Sequence, residues 1–176
     1  SDPAAMGLFF MGAIVLFEKG ERTLDSIAIA PVKSLEYVVS KLMSIALIST
    51  AVGLLIGFGS GVISNPYFFV IGVFLGSCLF SAVGLIIAVN ISTLNQFVMA
   101  TIPGELLISA PAVIWFFGWK PGFLILHPGV CVIELCRNGS GAPAALFILT
   151  GWILVITLLT GRVIAGKLQS LGGVKL

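Results

Sequence analysis

Long apolar runs separated by short polar links set the pattern of this 176-residue chain. Residues 42–63, 68–89, 97–119 and 144–164 are each long enough, at about 1.5 Å per helical residue, to cross a hydrocarbon core of about 30 Å. The first run, residues 4–17, is apolar but falls short of the roughly 20 residues that a crossing needs. Ser1, Asp2 and Pro3 precede it in place of a basic leader, so it does not read as a cleavable signal peptide. It reads as a span cut near its outer end; taking Met6 as a start codon would shorten it further.

The polar interruption after that run is where the charge collects. Glu18, Lys19, Glu21, Arg22, Asp25, Lys33, Glu36 and Lys41 cannot sit cheaply at a bilayer centre and place residues 18–41 in water or at a membrane surface. Within it Leu24, Ile27 and Ala28 recur at helical spacing opposite Arg22, Asp25 and Ser26, which predicts a short amphipathic helix stopped by Pro31. Ser34 is then the expected N-cap of a second helix, with Glu36 in its first turn and Leu35, Val38, Val39 and Leu42 opening an apolar face. Taken alone, such a stretch is a solvated loop between two spans.

The order of its residues is more specific. Glu18-Lys19, then Thr23-Leu24, an apolar turn ending in Pro31, and Tyr37 leading to Ser40-Lys41 resemble the cytosolic loop of ABC-2-type exporter permeases, and among them the fluoroquinolone export permeases. The resemblance covers residues 9–41 closely and the rest by span order and length. It implies an all-α polytopic membrane protein, an ABC-2-type (type V exporter-like) transmembrane domain lacking its first span. It also implies that Glu18, Glu21, Arg22, Thr23, Leu24, Asp25, Ile27, Ala28 and Pro31 form the coupling helix and its flanks, which dock on a separate ATPase subunit. ATP and magnesium would then belong to that partner, with no cofactor on this chain, and a second permease subunit would complete the transporter.

A mean hydropathy of +1.18 with 9% charged residues excludes an ordinary soluble domain. With the 18–41 loop in the cytosol, Lys19, Arg22, Lys33, Lys41, Arg162, Lys167 and Lys175 lie inside and Lys120 and Arg137 outside, a positive-inside bias for a multi-pass protein of a bacterial or archaeal inner membrane with a cytosolic C-terminus. No basic patch interleaved with aromatics supports nucleic-acid binding.

Gly53, Gly57 and Gly61, then Gly72 and Gly76 followed by Ser77 and Ser81, make small-residue stripes suited to close helix packing in lipid. Residues 90–96 form a polar link. The next run is interrupted by Pro103, Gly104 and Pro111, which predicts a kink or local unwinding, with Asn95 and Gln96 at its cytosolic mouth. Glu105, about two turns inside, is either a substrate-path carboxylate or a packed structural one, and these three residues are the candidate substrate path. Residues 120–143 are too broken by Pro121, Pro128 and Gly129 to span and fit interfacial or re-entrant helices at the outer surface; residues 165–176 are a short tail.

Little else carries chemistry. Gly161 to Lys167 imitates a phosphate loop, but Leu168 replaces the magnesium-binding Ser or Thr and no strand precedes it. Gly57, Gly59 and Gly61 lack the βαβ context of a dinucleotide site, and the sequon at Asn138 matters only in a eukaryotic secretory pathway. His127, Cys131 and Glu134 have ligand-like spacing, yet Pro128 and Gly129 argue against a helix that would align them, and no metal site is assigned. Cys131 and Cys136 lie on an oxidising side and could pair, although five residues apart on a helix their side chains point in different directions; Cys78 reads as a buried small hydrophobe. Nothing unites nucleophile, base and orienting acid, so a transport subunit without an ATPase site is expected. The alternative is an ATPase-independent carrier or a non-transporting membrane anchor.

Overall fold

The computed structural model describes residues 2–21, 23, 33–61 and 65–172. Its helices are α1 (Asp2–Gly20), α2 (Ser34–Ser60), α3 (Pro66–Asn90), α4 (Leu94–Phe116), a 3-10 helix (Gly122–Leu126), α5 (Pro128–Arg137) and α6 (Ala142–Gly172). Ser34–Ser60, Pro66–Asn90, Leu94–Phe116 and Ala142–Lys167 are long and apolar enough to cross a membrane. The chain is therefore an all-α polytopic membrane protein.

Local chemistry sets the helix ends. Lys33 rather than Ser34 is the N-cap of α2, because Glu36 at the third helical position accepts a hydrogen bond from the Lys33 backbone N–H at 3.3 Å. α2 stops at Gly61, whose φ of 65° is left-handed and whose N–H returns to the Phe58 carbonyl. A side chain at Gly61 would meet nothing within 4 Å, so this glycine terminates a helix rather than continuing the expected packing stripe. Asn65 caps α3 by accepting from Tyr67 N–H at 3.1 Å, with Pro66 at the first helical position; Ser64 of the expected turn lies outside the described residues.

Three expectations change along the rest of the chain. The polar link at residues 90–96 shrinks to 91–93, because Thr93 accepts from the Gln96 backbone N–H and caps α4, which puts Asn95 and Gln96 in its first turn. α4 runs unbroken through Pro103 and Pro111 instead of unwinding, since each proline costs one backbone bond while the other bonds of the turn persist. α6 continues to Gly172 rather than ending at residue 164: Arg162 and Lys167 mark a change of polarity, which does not by itself stop a helix.

α3 is the central column. It packs against α1, α2, α4, α5 and α6, and Leu79, Phe80, Leu85 and Ala88 join Leu8, Met11 and Val15 of α1, Val38, Leu42 and Ile45 of α2, and Leu149 of α6 in one core. Lipid offers no hydrophobic drive between helices, so contact here rests on close approach. A β-carbon on Gly84 would lie 2.6 Å from the Leu8 carbonyl oxygen, and one on Gly72 would lie 2.9 Å from Cys136 Sγ. One turn along α1 from Leu8, Gly12 seats the fully buried ring of Phe97. Gly53, Gly57 and Gly76 are buried as well.

The helices alternate in direction, so one end of the bundle collects the last turn of α1, the first of α2, the last of α3, the first of α4 and the later half of α6, where Gly161 meets Leu35. The other end holds the 3-10 helix and α5.

Because the group facing Gly84 is backbone and cannot rotate away, Gly84→Leu is expected to cost about 1–3 kcal/mol by overpacking. Thermal unfolding in mild detergent should show a lowered midpoint for this variant and a near-native one for Gly59→Leu, whose position is open.

Candidate functional site

The charged stretch is rooted in the bundle by two adjacent side chains. Glu18 accepts from the Tyr37 hydroxyl at 2.7 Å and forms an ion pair with Lys41, tying the end of α1 to the start of α2. The Lys41 ammonium lies 5.6 Å from the Tyr37 ring centroid, which closes the cluster. Lys19, one residue on, reaches the opposite way. Its ammonium donates to the carbonyls of Ala88 at 2.8 Å, Val89 at 2.8 Å and Ile91 at 2.6 Å.

Those carbonyls are at the C-terminus of α3, which carries partial negative charge; the Ala88 carbonyl also accepts from the Ile91 N–H at 3.3 Å. One ammonium has three N–H bonds, and all three are matched here. Both sides of the charged stretch are thus fixed to α2 and α3, and through the three-residue link 91–93 to α4.

Of the residues expected at the coupling helix, Glu18 faces these internal partners, while Glu21 and Thr23 are exposed. Arg22, Leu24, Asp25, Ile27, Ala28 and Pro31 lie outside the described residues.

Asn95 and Gln96 are exposed on the first turn of α4, whereas Glu105 is half-buried near its midpoint. At about 1.5 Å per residue, some 15 Å of helix separates them, so they are separate polar points on one helix. A small apolar cleft of about 160 Å³ lies between α1 and α2, lined by Met6, Phe10, Ile14, Ile45, Ile48 and Val52.

At the far end, α4 and α5 lock together through groups that include the three with ligand-like spacing. His127 is the N-cap of α5: its Nδ1 accepts from Gly129 N–H at 3.3 Å, and its ring lies beside the Leu107 carbonyl. That carbonyl is free because Pro111, four residues on, has no N–H to offer it. Gly129 rests directly on the Ile108 carbonyl, where no side chain would fit. Glu134, nearly buried, accepts from Trp115 Nε1–H at 2.7 Å, and Cys131 Sγ donates to the Ile125 carbonyl at 3.1 Å. The three ligand-like residues therefore turn to three different partners. Cys131 and Cys136 are free thiols, each pushed up to about 11 chiefly by burial. The pairing with Trp115 had no signal in the sequence beyond a lone acid in an apolar segment.

The chain resembles the fluoroquinolones export permease proteins of Mycobacterium tuberculosis strains CDC 1551 / Oshkosh and ATCC 25618 / H37Rv. To each it is 27% identical over 169 aligned residues, covering 77% of this chain and 70% of the relative. No family model and no solved structure matches it.

Replacing the Lys19 ammonium by an apolar end, in Lys19→Met, leaves the α3 terminus uncapped and should destabilise the protein by about 1–2 kcal/mol. Hydrogen exchange should quicken at residues 91–93 first, with Lys19→Arg intermediate. A pH effect follows from His127, whose folded-state value is held below its ordinary 6.5 mainly by burial, against an opposing contribution from the Leu107 carbonyl. The unfolded chain then binds the proton more readily. Stability from the neutral cap is complete above about pH 6.5 and is lost below it as the pH falls through the lower folded-state value, since protonated Nδ1 no longer accepts. Melting curves at pH 7.5 and 5.5 should differ for the native chain and converge for His127→Asn, which caps without titrating.

Proposed function

We propose that this chain is the membrane-spanning permease subunit of an ATP-binding-cassette exporter, moving an amphipathic, drug-like substrate out of the cell with energy from a separate ATPase. The observation that carries this reading is the likeness to two fluoroquinolones export permeases across 77% of the chain. The ordered Glu18-Lys19, Thr23-Leu24, Pro31 and Tyr37 of the charged stretch support the ATPase as partner.

In this reading residues 18–41 lie in the cytosol and dock on the ATPase, which holds the ATP and magnesium. Leu24 and Ile27 supply apolar contact, and Glu21, Arg22 and Asp25 the electrostatic fit. The roots described above are what make such docking useful. Force on the loop meets Glu18 bonded to Tyr37 and Lys41, and Lys19 bonded to the end of α3, so α1, α2 and α3 move as one body and carry the short link to α4.

Asn95 and Gln96 then stand at the cytosolic entrance, Glu105 partway along the path, and the buried glycines hold the moving helices together. The apolar faces of α4 and α6, where Leu106, Leu107, Leu154 and Leu158 are exposed, are covered by lipid and a second permease subunit. The positive-inside distribution of Lys and Arg supports a multi-pass cell-membrane protein with this loop and the C-terminus inside.

Changing Leu24 and Ile27 to Asp should leave membrane insertion intact while reducing co-purification with the ATPase at least tenfold, on the order of 1.4 kcal/mol or more of binding. Substrate-stimulated ATP hydrolysis should disappear with it. Undiminished binding and stimulation would make the loop a mere connector and favour an ATPase-independent carrier.

A further inference from the structure

At the end of the bundle away from the charged loop, a cleft of about 390 Å³ opens sideways between α4 and α5. Val113, Phe116 and Phe117 form one wall, Val132 and Ile133 the other, and Arg137 stands at the rim. Phe116 and Phe117 are 57% and 82% exposed, so the wall is hydrocarbon that a chain of matching polarity would cover.

Arg137 is the element that narrows the choice of occupant. It is the last residue of α5, exposed, and its guanidinium lies 5.1 Å from the Phe116 ring centroid. Among the described residues no carboxylate comes within ion-pair distance of it. The nearest acid in sequence, Glu134, is turned inward to Trp115. Lys120 lies over the Trp115 ring at 5.6 Å and is likewise without an ion pair. A forked donor group therefore faces outward, held in place from below and open to an anion.

The depth of the cleft matches this chemistry. Trp119 and Phe123 are exposed at the same end, and Trp152 of α6 donates its ring N–H to the Leu126 carbonyl at 3.0 Å. Aromatic rings gathered at one end of an apolar bundle mark the boundary between headgroups and hydrocarbon. Arg137 then sits at headgroup level, and Val113, one turn further along α4, reaches into the acyl region.

We propose that this cleft is a binding site for an anionic phospholipid, whose phosphate engages Arg137 while one acyl chain lies along Val113, Phe116 and Ile133. The assignment concerns the lipid around the chain and stands whether or not the chain transports anything. It selects on net charge: a zwitterionic lipid has the same tail and phosphate, but its cationic end group opposes the guanidinium.

Native mass spectrometry of the purified full chain in mild detergent, given equimolar phosphatidylglycerol and phosphatidylcholine of identical acyl chains, tests it. Phosphatidylglycerol adducts should exceed phosphatidylcholine adducts by about fivefold, the effect of one cation beside an anionic lipid. Arg137→Gln should bring the two to parity and Lys120→Gln should not, while Val113→Trp, which fills the cleft, should lower both. Arg137 and Lys120 are exposed, so melting curves of both variants should overlay the native one. Equal binding of the two lipids, a preference that survives Arg137→Gln, a preference lost only with Lys120→Gln, or adducts unchanged in Val113→Trp would each overturn the proposal. A third arm with sodium laurate separates a lipid from a free carboxylate: laurate displacing phosphatidylglycerol at equal concentration would also overturn it.

Discussion

The Lys19 ammonium at the end of α3 is the interaction on which the arrangement of this bundle depends. A helix leaves its last carbonyls without helical partners, and a cation is favoured beside them by the helix dipole. Lys19 bonds the carbonyls of Ala88, Val89 and Ile91 with one group and one charge, the first of them shared with the Ile91 N–H. Because its neighbour Glu18 engages Tyr37 and Lys41, two consecutive residues join three helices. The polar groups that make the stretch incompatible with lipid are thus the ones that fix its position.

The same constraint explains the opposite end. Pro111 has no N–H to give the Leu107 carbonyl, and beside that carbonyl lies the His127 ring, whose Nδ1 caps α5. Glu134 and Trp115 resolve a buried acid and a buried indole in a single bond. Between the two ends, α3 is held by proximity rather than polarity. Its buried Ser77 and Ser81 hydroxyls have no hydrogen-bond partner among the described residues and lie against Gly7, so their contribution there is small size.

Both ends also present groups outward. At one end Glu21 and Thr23 are exposed, and at the other Arg137 and Lys120 stand over aromatic rings. In one reading the first contacts an ATPase and the second the lipid. The two proposals rest on different residues, and neither depends on the other.

Apolar run length alone settled that this chain crosses a membrane several times, because a span must be about 20 residues long and predominantly apolar whatever its neighbours are. It also located the charged loop, since ionisable groups exclude themselves from hydrocarbon. Run length could not locate helix ends: Lys33 replaced Ser34 as a cap, α6 passed residue 164, and α4 absorbed two prolines, each decided by hydrogen bonds rather than polarity. Nor could spacing within one helix reveal partners on another. Gly72 was visible as part of a stripe, but that Gly84 meets the Leu8 backbone, that Gly61 ends a helix, and that Lys19 points back to Ala88 across 69 residues became determinate only when the helices were set side by side. Periodicity reports which face of a helix is apolar; which neighbour that face meets, and at what height, is a property of the packed bundle.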